Sequence, residues 1–414
     1  MSRPSVVAVL RERGVRGLLA ALIRRVRRTS TPHLQDHIHI DDVSRSPVGV
    51  DVLGYFTAEF GVGEAARTLV SAIRTTDVDI STINYTDTES RTNHFFVTDN
   101  VSRHHTLLMS INADQLVVAR QRLGDHFFED RYVIGQWFWE LEEAPSWFEP
   151  AWPLVNELLA PTRFIETMLR TSAPSHVHVQ HVPLPIVAPR IDDSLTRPHW
   201  NLDGRYMFLF VFDLMSIMKR KNPLGLISAY SKAFSVIDGA QLVIKTMNGD
   251  KRPEDLQRLR DASTHRSDIT ILDEVFSGVE TSTLISLADC YVSLHRSEGL
   301  GLTMSEAMSL GKPVIATNYS GNTDFMTEEN SFLIPWQRVA VGDDAGGYSP
   351  TATWAEPDEE AAAKAMRFVF ENQLEARIRG AQAREDVLGG HSQVAAGAIM
   401  KSRLEEIWRS HRGH

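Results

Sequence analysis

One stretch of the sequence, residues 290–326, constrains the fold more than any other. It reads CYVSLHRSEGLGLTMSEAMSLGKPVIATNYSGNTDFM. The apolar run 291–294 predicts a buried strand, and the glycines after it predict a turn. Thr303 or Ser305 can then cap a short helix that ends at Gly311, and residues 312–317 return as a second buried strand. This order of elements is typical of parallel α/β sheets, in which ligands bind at the carboxyl edge of the strands.

The turn inside this stretch is suited to an anionic ligand. A helix N-terminus presents free N–H groups and a partial positive charge, which favour a group such as a pyrophosphate. Two acids, Glu298 and Glu306, lie eight residues apart across the turn. The alternative interpretation is structural: Glu306 is then an ordinary first-turn acid favoured by the helix dipole, and Glu298 is an exposed turn residue.

The motif SEGLGLTMSEAMSLGKPVIAT resembles the E-x7-E signature of family 4 of the retaining, nucleotide-sugar-dependent glycosyltransferases. Both acids, the glycine turn, the Gly-Lys-Pro-Val-Ile strand and the Ser-Gly after it stand in register with that signature. Members of this family have the GT-B fold, so the resemblance implies an α/β chain of two facing Rossmann-like domains with a cleft between them. The resemblance covers nearly the whole chain after about residue 48.

The length of 414 residues itself predicts two domains, because a single core seldom grows that large. The first domain is predicted at 47–190, where it ends in a proline-rich connector, and the second at 201–390. Residues 391–414 are predicted to form a helix that, by resemblance, crosses back onto the first domain. Residues 337–358 are rich in Gly, Asp and Pro, and are predicted to be an unusually long loop.

The N-terminal residues 1–46 are predicted to form a basic amphipathic helix (1–28) and a polar linker. Eight arginines and one glutamate give residues 1–28 a charge of +7, so the rest of the chain carries −17 of the total of −10. Such a helix can lie on an anionic membrane surface; the alternatives are a helix docked on its own protein and a poorly ordered extension. The acidic remainder argues against nucleic acid as the main partner.

The compartment is predicted from what the sequence lacks. No uncharged run of about 20 apolar residues could span a membrane, and arginines interrupt the only apolar region near the N-terminus, which argues against a secretory signal. A single cysteine, Cys290, excludes an internal disulfide and is compatible with a reducing cytosol. We therefore expect a cytoplasmic protein, with peripheral attachment to the inner face of the plasma membrane if residues 1–28 bind lipid.

The resemblance assigns the donor side of the cleft. It places Glu298 on a hexose hydroxyl, Glu306 on the ribose hydroxyls, and the cations Arg220 and Lys221 on the departing diphosphate. Many relatives carry the arginine several residues earlier, where this chain has Met215 or Ser216. Gly61 and Gly63 form a Gly-x-Gly turn that, taken alone, is a plain tight turn and, by resemblance, faces the diphosphate. The remaining expected donor contacts are Lys245, Val275, Phe276, Gly299, Leu300, Gly301, Leu302 and Thr303.

The acceptor side has weaker signals. Residues 136–152 are rich in aromatic rings and carboxylates, a combination that can hold a sugar, although most of these rings are predicted to pack in a core. The candidates for acceptor contacts are Trp137, Glu140 and Asn112. Relatives often place a histidine here as the acceptor-orienting residue, and this chain has none in an equally clear context.

These residues predict a retaining, metal-independent hexosyltransferase. It would move a hexose from a nucleotide diphosphate sugar to a hydroxyl of a glycan or glycolipid, and it looks most like bacterial enzymes that build surface polysaccharides. No cofactor is expected, because no His-x-His or Cys-x-x-Cys set occurs in a strand-edge context. The alternatives are a GT-B nucleotide-sugar epimerase, which uses the donor alone, and a non-catalytic sugar-nucleotide-binding protein.

Overall fold

Two parallel sheets of six strands each form the framework of the molecule. The computed structural model describes residues 38–40, 45–88, 90–343 and 345–411. The predicted basic helix 1–28 and most of the linker lie outside these residues. Each sheet is covered by helices and is the centre of one α/β domain, as the sequence predicted.

The sheet of the first domain has the strand order β3-β2-β5-β6-β7-β8. Its strands are largely buried, because helices cover both sides of a parallel sheet. In chain order the strands are β1 (His39–Ile40), β2 (Ser46–Gly54), β3 (Ile80–Asn84), β4 (Val101–Ser102), β5 (His104–Ser110), β6 (Tyr132–Gln136), β7 (Glu157–Ala160) and β8 (His178–His181), where β1 and β4 form a separate short pair. The helices are α1 (Gly61–Ile73), α2 (Ala113–Leu123) and α3 (Arg163–Ser172).

The second sheet has the order β11-β10-β9-β12-β13-β14. Its strands are β9 (Tyr206–Val211), β10 (Ala240–Thr246), β11 (Ile269–Asp273), β12 (Cys290–Ser293), β13 (Val314–Thr317) and β14 (Phe332–Ile334). The helices are α4 (Met218–Lys221), α5 (Pro223–Ala233), α6 (Pro253–Ser263), α7 (Gly278–Leu287), α8 (Leu302–Ser309), α9 (Glu359–Glu371) and α10 (Gln373–Gly390). The chain reverses its direction of travel across the sheet between β9 and β12, so the loops after these two strands open side by side, where α/β sheets bind ligands.

The prediction of a long loop at 337–358 was wrong. The segment forms an antiparallel hairpin of β15 (Trp336–Ala340) and β16 (Thr353–Pro357). We call residues 336–357 the clamp hairpin. Its buried residues Val341, Tyr348 and Trp354 belong to the hydrophobic core of the first domain, although the segment follows the second sheet in the chain. The turn-rich composition concealed this because the apolar partners of the hairpin lie in the other domain.

The last helix, α11 (Gln393–His411), returns to the first domain and packs against α1. Its side chains Met400, Leu404 and Trp408 are buried in the core around β2. Trp408 Nε1 donates to Thr106 Oγ1 at 3.2 Å. The helix therefore ties the C-terminal end of the chain to the domain that is made first.

Membrane-spanning helices were sought among the described residues. None of the helices there is both long and apolar enough to cross a bilayer.

A charged cleft between the two domains

Lys221 and Glu298 meet because two adjacent loops of the second sheet carry them. The loop after β9 is folded tightly around α4, with Ile217 at φ 62° and Asn222 at φ 54°. Asn222 then fixes this loop to the neighbouring one: its Nδ2 donates to the Leu294 carbonyl at 2.9 Å, while its Oδ1 caps α5. The Lys221 ammonium consequently lies against Oε1 of Glu298.

Glu298 is a buried carboxylate that its cationic neighbours keep ionised. Burial by itself would raise its pKa, but Lys221 and Arg220 outweigh that effect and hold the pKa at about 2. Arg220 Nη1 lies 3.2 Å from the same oxygen that contacts Lys221. The backbone is also fixed, since Glu298 N–H donates to Ser320 Oγ at 2.8 Å and its carbonyl accepts from Gly321 N at 2.9 Å. The site therefore contains a fixed negative charge.

Arg220 is enclosed by protein. Its Nη1 also donates to the Ser297 carbonyl at 2.8 Å, and its Nη2 donates to the Ser216 carbonyl at 3.2 Å and lies 3.5 Å from Glu140 Oε1. Burial lowers its pKa, whereas Glu298 and Glu140 raise it more, so the net shift is upward and the guanidinium stays charged. Within the described part of the chain its buried Nε has no hydrogen-bond partner.

The glycine turn starts helix α8 earlier than predicted. Gly301, at φ +90°, is the N-cap, and the helix begins at Leu302 rather than after Thr303 or Ser305. The left-handed backbone at Gly301 allows this start, and it leaves the Thr303 hydroxyl free to accept from Tyr291 OH at 2.7 Å. Gly299 is the point of contact with the first domain, because its carbonyl accepts from Thr162 Oγ1 at 3.1 Å. The turn thus lies between the two domains, with Leu300 buried in the second domain's core.

Glu306 faces the first domain from the first turns of α8. Burial and the carboxylate of Glu64 on α1 raise its pKa to about 7. Among the described residues its carboxylate has no hydrogen-bond partner, while Glu64 is bound to Arg67 at 2.7 Å. Glu306 is therefore a partly buried acid with unused hydrogen-bonding capacity, as a hydroxyl-binding residue would be.

The two glycines of the first domain have different surroundings. A Cβ at Gly61 would lie 3.4 Å from Leu302 Cδ1, so the start of α1 lies directly against the start of α8. A Cβ at Gly63 would lie 2.7 Å from the carbonyl oxygens of both Tyr55 and Ala58, a contact that only glycine avoids. Gly61 therefore lines the cleft, and Gly63 permits the tight turn behind it.

Of the other predicted donor residues, some hold a loop of the cleft in place and others are exposed to solvent. Lys245 Nζ donates to the carbonyls of Thr246 at 2.8 Å and Glu274 at 2.9 Å, and it lies 4.4 Å from the ring centre of Phe276. Burial lowers the pKa of Lys245 to about 8. Lys245 and Phe276 thus brace the loop after β11, while Val275, which is 52% exposed, projects from it.

The three acceptor candidates also differ in their surroundings. Trp137 has no exposed surface, and its ring lies 5.1 Å from those of Phe148 and Trp152, so the suggestion that it contacts an acceptor was wrong. Asn112 stands at the N-cap position of α2 but makes no side-chain capping bond, because its Oδ1 accepts from the Phe138 N–H at 2.8 Å. Glu140 is held by other protein groups, because its Oε2 accepts from Tyr348 OH at 2.9 Å.

Sequence reasoning missed the residues that join the domains. Glu142 of the first domain is bound by Arg338 at 2.7 Å and accepts from Tyr319 OH at 3.0 Å, both from the second domain. Tyr348 of the clamp hairpin packs its ring 5.1 Å from that of Trp139. These residues stand in no recognisable motif, and the acidic run 140–143 was the only signal that could have pointed to them.

Metal-binding groups were also sought. In the part of the chain that the structure describes, no three or more His, Cys, Asp or Glu side chains are grouped so that they could hold a metal ion.

Comparisons with known proteins agree with this geometry. Residues 206–342, which contain the Lys221–Glu298 pair and α8, match the family model described as "Glycosyl transferases group 1". A search of curated protein sequences finds no match. The similarity in sequence to glycosyl transferases is therefore confined to the second domain and the start of the clamp hairpin.

The fold itself is that of GT-B glycosyltransferases. Sucrose-phosphate synthase of Thermosynechococcus elongatus superposes with a TM-score of 0.65 at 14% identity, covering 88% of this chain and all of that one. HepE of Anabaena, solved with UDP-glucose, gives 0.64 at 12% identity over 87% of this chain and all of that one. TarM of S. aureus, solved with UDP, gives 0.52 at 11% identity over 75% and 55% of the two chains.

Proposed function

We propose that this protein is a retaining glycosyltransferase of family 4 that moves a hexose from a nucleotide diphosphate sugar to a hydroxyl of a glycan or glycolipid. The observation that carries the proposal is the position of the Lys221–Glu298 pair. It lies where the loops of β9 and β12 open side by side, in the same cleft as the glycine turn and Glu306. Nucleotide-sugar complexes among the structural neighbours support the same substrate class.

In this reaction a bond forms between the acceptor oxygen and the anomeric carbon, and the bond from that carbon to the diphosphate breaks. The diphosphate leaves with the bonding electrons and takes up the acceptor's proton. Lys221 and the free N–H groups at the start of α8 stabilise the charge that develops on it, and fixed donors of this kind lower such barriers by about 3 kcal/mol each. Glu298 binds a hexose hydroxyl and Glu306 the ribose hydroxyls, while Val275 lies beside the base.

The proposal is tested by a thermal-shift panel of UDP, GDP and ADP sugars, followed by transfer assays with the sugar that stabilises the protein. We expect one nucleotide to raise the melting temperature and its sugar to be transferred with retained anomeric configuration, read by NMR. We also propose that no metal is needed, so EDTA should leave the rate unchanged. A strict metal requirement or an inverted product would contradict the mechanism.

The same assay separates the rival functions. An epimerase would convert the donor to an isomeric nucleotide sugar without any acceptor. A non-catalytic protein would bind the donor but neither hydrolyse nor transfer it. We expect neither result, because Lys221 and Glu298 are both present and in contact in the cleft.

We propose further that the acceptor belongs to bacterial surface polysaccharide or glycolipid synthesis, and that residues 1–28 hold the enzyme on the cytoplasmic membrane face. The support is the +7 charge and apolar stripe of this segment. In a flotation assay the full chain should bind vesicles with 30% anionic lipid, and 0.5 M NaCl should release it. The control is residues 29–414 alone, which should stay unbound; equal flotation of both would contradict the membrane role.

A further inference from the structure

Arg220 differs from Lys221 in how much of it can reach a ligand. The Arg220 side chain is 5% exposed and that of Lys221 is 17% exposed. Both Nη atoms of Arg220 already have protein partners, the Ser297 and Ser216 carbonyls, besides its two carboxylate neighbours. Lys221 Nζ contacts only Glu298 within the described residues, so two of its three protons remain available.

The carboxylates around Arg220 come from different domains. Glu298 belongs to the loop after β12, whereas Glu140 lies on the loop after β6 of the first domain and approaches Nη2 at 3.5 Å. Tyr348 of the clamp hairpin fixes the other oxygen of Glu140 at 2.9 Å. The Ser297 hydroxyl donates to the backbone carbonyl of Glu140, which holds the same loop in place. The contact between Arg220 and Glu140 therefore exists only while the two domains are in contact, whereas Glu298 approaches Arg220 from within the second domain.

We propose that Arg220 is a positioning residue rather than a ligand of the diphosphate. Resting on the proposed function, this inference assigns the diphosphate to Lys221 and gives Arg220 the task of orienting Glu298. Glu140 and Tyr348 act through Arg220. Tyr348 holds Glu140, and Glu140 fixes Arg220 when the domains close. The orientation of Glu298 therefore depends on closure. A carboxylate that must meet one sugar hydroxyl loses much of its effect when it is displaced by about 1 Å.

The test compares nucleotide binding with turnover in single variants. The probes are UDP, GDP and ADP for affinity, by calorimetry, and the hydrolysis of the matching sugar nucleotide for kcat. Arg220→Lys should lower kcat about 100-fold and change the affinity for the diphosphate less than about threefold, whereas Lys221→Met should weaken that affinity at least about 30-fold. Equal loss of affinity in both variants would overturn the inference.

Glu140→Gln and Tyr348→Phe test the closure step without removing a buried cation. We expect kcat to fall about tenfold and threefold, respectively, with nucleotide affinity within about twofold of the wild type. The matched control is Glu142→Gln, because Glu142 also joins the domains through Arg338 and Tyr319 but does not touch Arg220. It should lower the melting temperature as Glu140→Gln does and leave kcat within about twofold.

This design distinguishes failure of the proposed function from failure of the positioning role. If the wild type binds none of the three diphosphates, the proposed function fails and the inference fails with it. If the wild type binds and hydrolyses a donor but Glu140→Gln and Glu142→Gln lower kcat equally, the proposed function stands and the positioning role of Glu140 is wrong. Where Arg220→Lys does not fold, the comparison of Glu140→Gln with Glu142→Gln still tests whether holding Arg220 in place controls kcat.

Discussion

Replacing Glu306 with glutamine is expected to make the protein more stable at pH 8 while sugar transfer falls at least about 100-fold. Burial and Glu64 raise the pKa of Glu306 to about 7, from an ordinary value of 4.5. A raised pKa means that the folded state favours the neutral acid. The stability that Glu306 contributes is thus fully present below pH 4.5 and is lost as the pH rises through about 7.

Glutamine stays neutral at every pH, so the variant avoids the cost of an ionised buried carboxylate above pH 7. We expect a gain of about 2 kcal/mol in the free energy of unfolding at pH 8 and none at pH 4.5, measured by urea denaturation. Glu385→Gln, on the exposed face of α10, is the control and should show no such difference. Glu306→Ala should also fold and lose transfer. Normal turnover in either Glu306 variant would contradict its assignment to the ribose.

Replacing Lys221 with methionine should both destabilise the protein, by about 3 kcal/mol at pH 7, and weaken the binding of nucleoside diphosphates at least about 30-fold. The first effect follows because, among the described residues, Glu298 then keeps Arg220 as its one ion-pair partner in a buried position. The pKa of Glu298 is depressed to about 2, so its contribution to stability is present above the ordinary value of 4.5 and is lost as the pH falls toward 2. Without Lys221 the folded-state pKa of Glu298 should be less depressed, so in the variant this loss should be smaller and should be complete at a higher pH.

A second substitution separates the two effects. The double variant with Lys221→Met and Glu298→Gln removes both charges of the pair and leaves Arg220 beside Glu140, so it should recover part of the lost stability while nucleotide affinity stays low. Lys364→Met, on an exposed site of α9, is the matched control and should change neither quantity. Wild-type affinity for the diphosphate in the Lys221 variant would show that another group binds it.

The stretch 290–326 was predictable because its information is local. A strand, a glycine turn and a helix follow one another within 37 residues, and both acids lie inside that unit. The error there was small: the helix begins at Leu302, because the left-handed conformation of Gly301 is a backbone property that residue types only suggest. The two-domain fold followed from the same resemblance.

The contacts between the domains could not be predicted in this way. Tyr348 and Glu140 are 208 residues apart in the chain, and Arg220 lies between them in sequence. A pattern of residue types does not show which groups so far apart in the sequence lie close together in space. For the same reason Trp137 looked like a sugar-stacking ring, although its neighbours Phe148 and Trp152 close over it. The long loop at 337–358 was misjudged because its apolar side chains find their partners in the other domain.

The position of α11 has a consequence for how the protein is made on the ribosome. The first domain is translated first, but Trp354 of the clamp hairpin and Met400, Leu404 and Trp408 of α11 are part of its core. Until the last helix has left the exit tunnel, the faces around β2 and α1 that these side chains cover stay open to solvent. The first domain therefore completes its core only after the second domain and α11 have been synthesised.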